Sequence, residues 1–255
     1  MSRRPLPDLV IGGAPRSGTT FLCEVLAKHP DCFVARPFLP EPKVLLTRHP
    51  EGLVGYYRRY AELFSAAPEM SVRVEKTSNY FENEEARTLF PKVLHEAQLL
   101  FILREPVARA YSNWLWSTRN GLETLSFAEA VAADGKRTSP IDRDRPHARP
   151  FDYLVRGNYG TLAQLWGDAI GRHRLHFLMF EEAIDEPDTF AARLQHIAGL
   201  DPLRWELLQT GVVNAHGLVA PELDPGLADE LRRHFAPEMK RLAALTGLDV
   251  ARWGY

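Results

Sequence analysis

The feature that most constrains the fold is a glycine-rich turn near the amino terminus, in the stretch IGGAPRSGTT at residues 11–20. Apolar residues precede it and the amphipathic stretch FLCEVLAKHP follows it, so the pattern predicts a strand, a turn and then a helix. From Gly13 the spacing is glycine, four residues, glycine, and then Thr19 and Thr20. This is the frame of a phosphate-binding loop, with a threonine where a lysine is expected.

Apolar runs typical of strands recur along the chain, near residues 10, 73, 101 and 177. Helical patterns follow or separate them, at about 18–28, 52–66, 106–120, 159–171, 187–198 and 226–246. Strands that alternate with helices of this length predict an α/β fold with a parallel sheet flanked by helices. Ligands of such sheets bind at the carboxyl ends of the strands.

The length of 255 residues allows one domain or two. Two segments, 133–150 and 209–225, lack the regular pattern and are rich in proline and other turn formers. We interpret both as long loops of a single domain over residues 1–255, because the pattern after the first segment fits the same sheet. Long loops in compact domains are often functional, so both are candidate lids.

Composition limits the partners that the chain can have. The formal net charge is −2, which argues against a general nucleic-acid binder and makes any anion site local. No apolar stretch has the length of a signal peptide or a membrane span. Cys23 and Cys32 have neither a metal-binding spacing nor a disulfide pattern, so we expect a cytoplasmic protein.

The missing lysine argues against nucleoside triphosphate chemistry. A nucleotide kinase needs a lysine after Gly18 to reach the outer phosphates and an acidic strand end to help hold magnesium. Thr19 stands in the lysine position, and the strand near residue 101 is followed by Arg104 before Glu105. These cations suit a donor with less charge at its reacting end, such as a sulfuryl group attached to a phosphate. The alternative is that Pro15 and the glycines merely form a tight turn.

The stretch PRSGTT, together with LREPVARAYS at residues 103–112, resembles the sulfotransferases that use 3′-phosphoadenosine 5′-phosphosulfate (PAPS). The similarity extends through EKTSNYF, RGNYGTLAQLW and FEEAIDEPDTFAARLQHIAGL, so it covers most of the chain. The family fold is a parallel sheet flanked by helices and is related to nucleotide kinases. The resemblance implies PAPS as donor, adenosine 3′,5′-bisphosphate as product, a small-molecule or carbohydrate hydroxyl as acceptor, and no metal.

By that resemblance, the 5′-phosphosulfate is bound by Arg16, Ser17, Gly18, Thr19 and Thr20. Arg16 stands where many members carry a lysine. Its guanidinium is expected to counter charge that develops on the bridging oxygen as the sulfuryl group leaves. Because an arginine stays protonated, it cannot donate the proton that a lysine could donate.

A second group of residues is expected to hold the 3′-phosphate of the donor, as its counterpart does in the family. Arg104 ends a strand, and Ser112 lies about 9 Å along the helix that begins near Pro106. The two side chains could therefore converge on one phosphate. The alternative is an Arg104–Glu105 pair and a serine on a solvated helix face.

The candidate general base is Glu41 in RPFLPEPKVLL, held rigidly between Pro40 and Pro42. One branch of the family uses a glutamate there to deprotonate the acceptor hydroxyl, whereas another branch uses a histidine elsewhere. His49 and His95 are the rival bases. The alternative is a solvated glutamate in a proline-rich loop.

Lys76 in EKTSNY follows a predicted strand, and similar relatives place a lysine here against the substrate or the sulfuryl group. The alternative for Lys76 is an ion pair with Glu75 or with another surface acid. Arg156, Asn158 and Tyr159 in RGNYG either border the donor or acceptor site or form a glycine-bounded turn.

The resemblance weakens after residue 208, where many relatives carry a basic loop over the adenine. This chain offers Asn214, His216 and Gly217 there, so the adenine contacts stay open. The tryptophans at 114, 116 and 166 could line an acceptor pocket, but their helical spacing favours packing in the core.

Taken together, the residues predict a metal-independent, PAPS-dependent sulfotransferase whose base is Glu41 and whose cations are Arg16 and Lys76. Two other functions compete: a small-molecule kinase on the same frame, and a nucleotide-binding regulator without turnover. The sequence does not identify the acceptor or the oligomeric state.

Overall fold

The computed structural model describes residues 5–138, 147–201 and 223–255. The described strands are β1 (Leu9–Gly13), β2 (Cys32–Val34), β3 (Val72–Lys76), β4 (Gln98–Leu103) and β5 (Leu175–Met179). They form one parallel sheet in the order β2-β3-β1-β4-β5. The predicted parallel sheet is therefore confirmed.

The described helices are α1 (Thr19–Leu26), α2 (Leu53–Leu63), α3 (Glu84–Val93), α4 (Pro106–Arg119), α5 (Phe127–Ala132), α6 (Tyr159–Ile170), α7 (Glu182–Asp185), α8 (Pro187–Ala198) and α9 (Pro225–Thr246). Every strand and helix that the pattern predicted is present, with ends that differ by a few residues. In the part of the chain that the structure describes, no helix has the length and hydropathy needed to cross a membrane.

The helix boundaries follow from local sequence. Pro106 opens α4, and the Glu105 carboxylate accepts a hydrogen bond from the N–H of Ala108 in the first turn. In α9, Asp224 caps the first turn in the same way through the N–H of Leu227, and the helix ends at Gly247 in the left-handed conformation.

The sheet order places β1 at the centre, between β3 and β4. The chain leaves β1 toward β2 and β3 on one side, and continues to β4 and β5 on the other side. Such a switch point opens a crevice outside the carboxyl end of the central strand, where ligands bind. The turn between β1 and α1 lies at this position.

Apolar side chains cover both faces of the sheet. On one face, buried residues of α1 and α8 pack against alternate residues of β1 and β4. On the other face, the Phe101 ring packs against the rings of Phe81, Trp166 and Phe177, with centroids 4.5, 5.5 and 5.7 Å away. Trp166 is fully buried and donates its indole N–H to the carbonyl of Phe81 at 2.9 Å, so the prediction that it packs in the core is confirmed.

Contacts divide the described chain into two compact units. The first contains residues 5–103 and 165–201, and therefore the whole sheet. The second contains residues 104–138, 147–164 and 223–255, in which α4 packs against α5 and α9. The assignment of residues 1–255 to one domain stays a prediction. Residues 139–146 and 209–222 of the two candidate lids lie outside the described residues.

Candidate active site

The turn between β1 and α1, residues 14–18, is the predicted anion loop, and its backbone conformation is unusual. Gly18 has φ +90°, and a Cβ built there would lie 2.4 Å from Cδ2 of Phe180. Arg16 has φ 69°, a region that residues with a side chain rarely occupy. Such conformations persist where the surrounding structure imposes them, and they concentrate at ligand sites.

The anion loop presents polar groups that suit an anion. The first N–H groups of α1 have no partner within the helix and lie at the positive end of its dipole. Ser17 is fully buried, and its Oγ makes no hydrogen bond within the described residues. The hydroxyl-bearing Thr19 is also buried. A buried hydroxyl of this kind fits an anionic ligand such as a phosphosulfate.

Lys76 and Glu41, predicted from separate motifs, meet beside this loop. Their Nζ and Oε1 atoms are 3.1 Å apart, and the side chains are 3% and 8% exposed. Lys76 also donates to the hydroxyl of Thr20 at 3.1 Å. The structure thus joins the last residue of β3, the first turn of α1 and the loop after β2 at the carboxyl edge of the sheet.

Glu41 is oriented by a residue that the sequence reasoning missed. Ser78 donates its hydroxyl to Oε1 of Glu41 at 2.8 Å and its backbone N–H to Oε2 at 3.2 Å. Ser78 belongs to the EKTSNY stretch that supplied Lys76, and this was the one signal that could have found it. Glu41 is therefore a nearly buried, paired carboxylate rather than a solvated one.

Glu75 does not form the ion pair that was the alternative for Lys76. It is fully buried and accepts hydrogen bonds from the hydroxyls of Tyr60, Thr77 and Tyr80. Burial raises the pKa of Glu75, and these three hydrogen bonds oppose the rise.

His49 and His95, the alternative candidates for the base, have surroundings that differ from those of Glu41. The Nε2 atom of His49 lies 3.3 Å from the carbonyl oxygen of Val44, and its ring packs edge-on against Tyr56. His95 is half exposed and lines a pocket with Leu6 and other residues that precede β1 and β4. That pocket lies at the amino ends of these strands, opposite to the anion loop.

Arg104 and Ser112 lie in the second unit, where Arg104 immediately precedes the α4 cap and Ser112 is half-buried on α4. The Tyr159 hydroxyl donates to the Arg104 carbonyl at 2.9 Å, and Tyr255 donates to Glu105 at 3.1 Å. These bonds fix the backbone around Arg104. The convergence of Arg104 and Ser112 on one phosphate stays a prediction.

The RGNYG stretch contributes to packing in the second unit. Arg156 is buried and donates to Oδ1 of Asn113 at 3.2 Å, and Tyr159 is fully buried. Asn214, His216 and Gly217, the residues at the expected adenine loop, lie outside the described residues.

The chain matches proteins of known family over most of its length. A profile described as the sulfotransferase family matches residues 7–89. The crystal structure of a sulfotransferase from Alicyclobacillus acidocaldarius superposes with a TM-score of 0.76 at 25% identity, covering 98% of this chain and 99% of that one. The chain is therefore similar to sulfotransferases in sequence and in fold. The predicted resemblance to sulfotransferases is confirmed, and the superposition supports the predicted nucleotide-kinase-like α/β fold.

Two further matches are to mouse sulfotransferases. The mouse heparan sulfate glucosamine 3-O-sulfotransferase 3A1 is 25% identical over 197 residues, which are 77% of this chain and 47% of that protein. The chain thus spans about half the length of the curated relatives it matches. The mouse sulfotransferase SULT7A1, solved in complex with PAP, shares the fold at 16% identity, with a TM-score of 0.50 over 94% of this chain and 68% of that one.

Proposed function

We propose that this protein transfers the sulfuryl group of PAPS to a hydroxyl group of a small molecule or carbohydrate, without a metal. The observation that carries the proposal is the buried Lys76–Glu41 pair beside Thr20. Sulfuryl transfer needs a base for the acceptor proton and a cation for the charge on the departing oxygen. Both groups lie next to the anion loop, which supports the proposal.

The donor end of the site suits the 5′-phosphosulfate. Ser17 offers a buried hydroxyl with no partner in the described residues, and Gly18, Thr19 and Thr20 open a helix whose first N–H groups can bind the anion. The Thr20 oxygen accepts from Lys76, so its own hydrogen is available to an anion. Bound PAPS would supply the sulfuryl group, and Arg104 and Ser112 are proposed to hold its 3′-phosphate.

The proposed reaction is an in-line displacement at sulfur. Glu41 takes the proton of the acceptor hydroxyl as the acceptor oxygen bonds to sulfur. The bond between sulfur and the bridging phosphate oxygen breaks, and adenosine 3′,5′-bisphosphate leaves. Lys76 and Arg16 counter the charge on that oxygen. The bisphosphate product is supported by PAP in the mouse SULT7A1 complex.

A carbohydrate hydroxyl is the acceptor that the relatives favour. The name of the mouse 3-O-sulfotransferase places its activity on heparan sulfate glucosamine.

The sequence-based prediction of a cytoplasmic location is also part of this proposal.

The experiment is transfer of label from [³⁵S]PAPS to a panel of heparan sulfate oligosaccharides, p-nitrophenyl glycosides and phenols, without magnesium. Glu41→Gln keeps the size of the side chain but removes the proton acceptor, so turnover should fall about 10²- to 10⁴-fold. Affinity for adenosine 3′,5′-bisphosphate should barely change, because the carboxylate serves the acceptor.

The control variants are His49→Ala and His95→Ala, which should keep turnover. Near-normal turnover in Glu41→Gln together with its loss in either histidine variant would show that the base is a histidine. Bisphosphate binding by the wild type with no transfer to any acceptor would favour the nucleotide-binding regulator.

A further inference from the structure

Glu75 lies in the core of the first unit, where hydroxyl groups surround its carboxylate. Its Oε2 atom accepts from the Tyr60 hydroxyl at 2.8 Å. Its Oε1 atom accepts from Thr77 at 2.7 Å and from Tyr80 at 2.8 Å. Glu75 and Tyr80 are 0% exposed, so water does not compete for these bonds. Buried carboxylates are costly unless they are hydrogen-bonded in this way.

Two of these hydroxyls reach further, into the loop that carries the proposed base. This Glu41 loop comprises residues 35–46. The Tyr80 oxygen accepts the backbone N–H of Leu45 at 3.1 Å, and the Thr77 oxygen accepts the backbone N–H of Lys43 at 3.0 Å. Each hydroxyl thus connects Glu75 to one amide of the loop.

The direction of these bonds follows from the number of hydrogens. A hydroxyl has one hydrogen and two lone pairs. Because the hydrogens of Thr77 and Tyr80 point to Glu75, their lone pairs are turned toward the amides of Lys43 and Leu45. An acceptor-only carboxylate fixes this orientation, whereas an amide in its place would also offer donors.

The Glu41 loop needs such support because its backbone is strained where it is held. Lys43 has φ 51°, in the left-handed region that residues with a side chain rarely adopt. It is the residue from which the 3₁₀ helix Val44–Leu46 starts, two positions after Glu41. The amide of Lys43 is the one bound by Thr77.

We infer that Glu75 is a positioning residue for Glu41, acting through the hydroxyls of Thr77 and Tyr80 on the backbone of the Glu41 loop. This inference rests on the proposed function for the role of Glu41. Adjacent residues of a strand point to opposite faces, so Lys76 contacts the Glu41 carboxylate while Glu75 secures the backbone that follows it. Glu41 is thereby held both at its carboxylate and through the backbone that follows it.

The test compares Tyr80→Phe with Tyr60→Phe. Both variants remove one hydroxyl from Glu75, but only Tyr80→Phe also removes the acceptor of a loop amide. Hydrogen exchange of the Leu45 and Lys43 amides, followed by mass spectrometry of peptides from the Glu41 loop, reads the inferred contacts directly. We expect at least a tenfold faster exchange in Tyr80→Phe and a much smaller change in Tyr60→Phe.

The same variants are then compared in turnover, with the panel acceptor that the wild type uses. Tyr80→Phe should lower kcat about 10- to 10²-fold, as small misplacements of catalytic groups do, with little change in the KM for PAPS. Glu75→Gln should behave like Tyr80→Phe, and if it does not fold, Thr77→Val replaces it.

Equal exchange and equal kcat in Tyr80→Phe and Tyr60→Phe would overturn the inference, because the network would then serve stability alone. Normal protection of Leu45 in Tyr80→Phe would overturn it as well. A wild type that turns over no acceptor would contradict the proposed function, while the exchange comparison would still decide whether the network holds the loop.

Discussion

At the scale of single residues, Gly18 is the position of the anion loop that tolerates a side chain least. Its φ of +90° strains any other residue, and an added Cβ would lie 2.4 Å from the Phe180 ring. Gly18→Ala should therefore lower the free energy of unfolding by roughly 1–3 kcal/mol and weaken bisphosphate binding. Urea unfolding and calorimetry measure the two effects.

The matched control for this prediction is Gly52→Ala. Gly52 also has a positive φ, of +60°, but a Cβ there would meet nothing within 4 Å. Its substitution adds strain without a clash and leaves the anion loop unchanged. Equal losses of stability and of binding in the two variants would contradict the account of Gly18.

The proposed 3′-phosphate site makes a separate prediction. Arg104→Ala should weaken the binding of adenosine 3′,5′-bisphosphate by roughly 2 kcal/mol, because one charge-assisted contact is lost. Ser112→Ala should weaken this binding by less. Adenosine 5′-phosphate, which lacks the 3′ group, is the control ligand in calorimetry. If both variants lose as much affinity for adenosine 5′-phosphate as for the bisphosphate, Arg104 and Ser112 do not bind the 3′-phosphate.

Residues of the candidate site were predictable only where they belonged to a recognisable sequence motif. Glu41 and Lys76 were predicted from separate stretches, and their 3.1 Å contact agrees with a shared site. Ser78 and Tyr80 were not predicted to act on the base. Their contacts depend on how the loop after β2 folds back over the end of β3, and no local spacing encodes that.

At the scale of elements, an ion pair between Glu123 and Arg137 connects the segment between α4 and α5 to the residues that follow α5 in the second unit. Arg137 donates both terminal nitrogens to Glu123, at 3.1 and 2.7 Å, and Tyr153 donates its hydroxyl at 2.8 Å. Burial alone would raise the pKa of Glu123, but the hydrogen bonds from Arg137, the Leu125 N–H and Tyr153 outweigh it and lower the pKa to about 2. The glutamate side chain is 1% exposed.

This low pKa predicts a definite pH dependence. Because the folded pKa lies below the ordinary value of 4.5, Glu123 stabilises the fold above pH 4.5 and loses that effect as the pH falls toward 2. Glu123→Gln should cost about 3 kcal/mol at pH 7 and much less at pH 3. Urea unfolding at both pH values measures this difference. A loss that is the same at both pH values would show that packing, not charge, is responsible.

Element prediction succeeded where start and stop signals were strong. Pro106, Pro187 and Pro225 each open a helix, and Gly199 and Gly247 end two of them. The strand β2 was missed because three residues are too few to show a period of two. The helix α3 was missed although Asn83 caps it, since Pro91 near its end interrupts the helical pattern.

At the scale of the whole molecule, the sheet order and the match to the Alicyclobacillus acidocaldarius sulfotransferase both support a sulfotransferase-like α/β fold. The alternation of strands and helices was enough to predict a parallel sheet, because the elements that were predicted show a clear apolar pattern. The order of the strands was not predicted, since it depends on contacts between distant parts of the chain. The loops expected to cover the adenine and the acceptor carry no periodic signal.

The central claim is that the anion loop serves a sulfuryl donor rather than a nucleoside triphosphate. The measurement that tests it most directly is the melting temperature of the protein with adenosine 3′,5′-bisphosphate and no magnesium, compared with ATP and magnesium. The bisphosphate should raise the melting temperature more, because at a hundred times its dissociation constant a ligand adds about 2.7 kcal/mol to stability. Stronger protection by ATP with magnesium would contradict the account and favour a kinase.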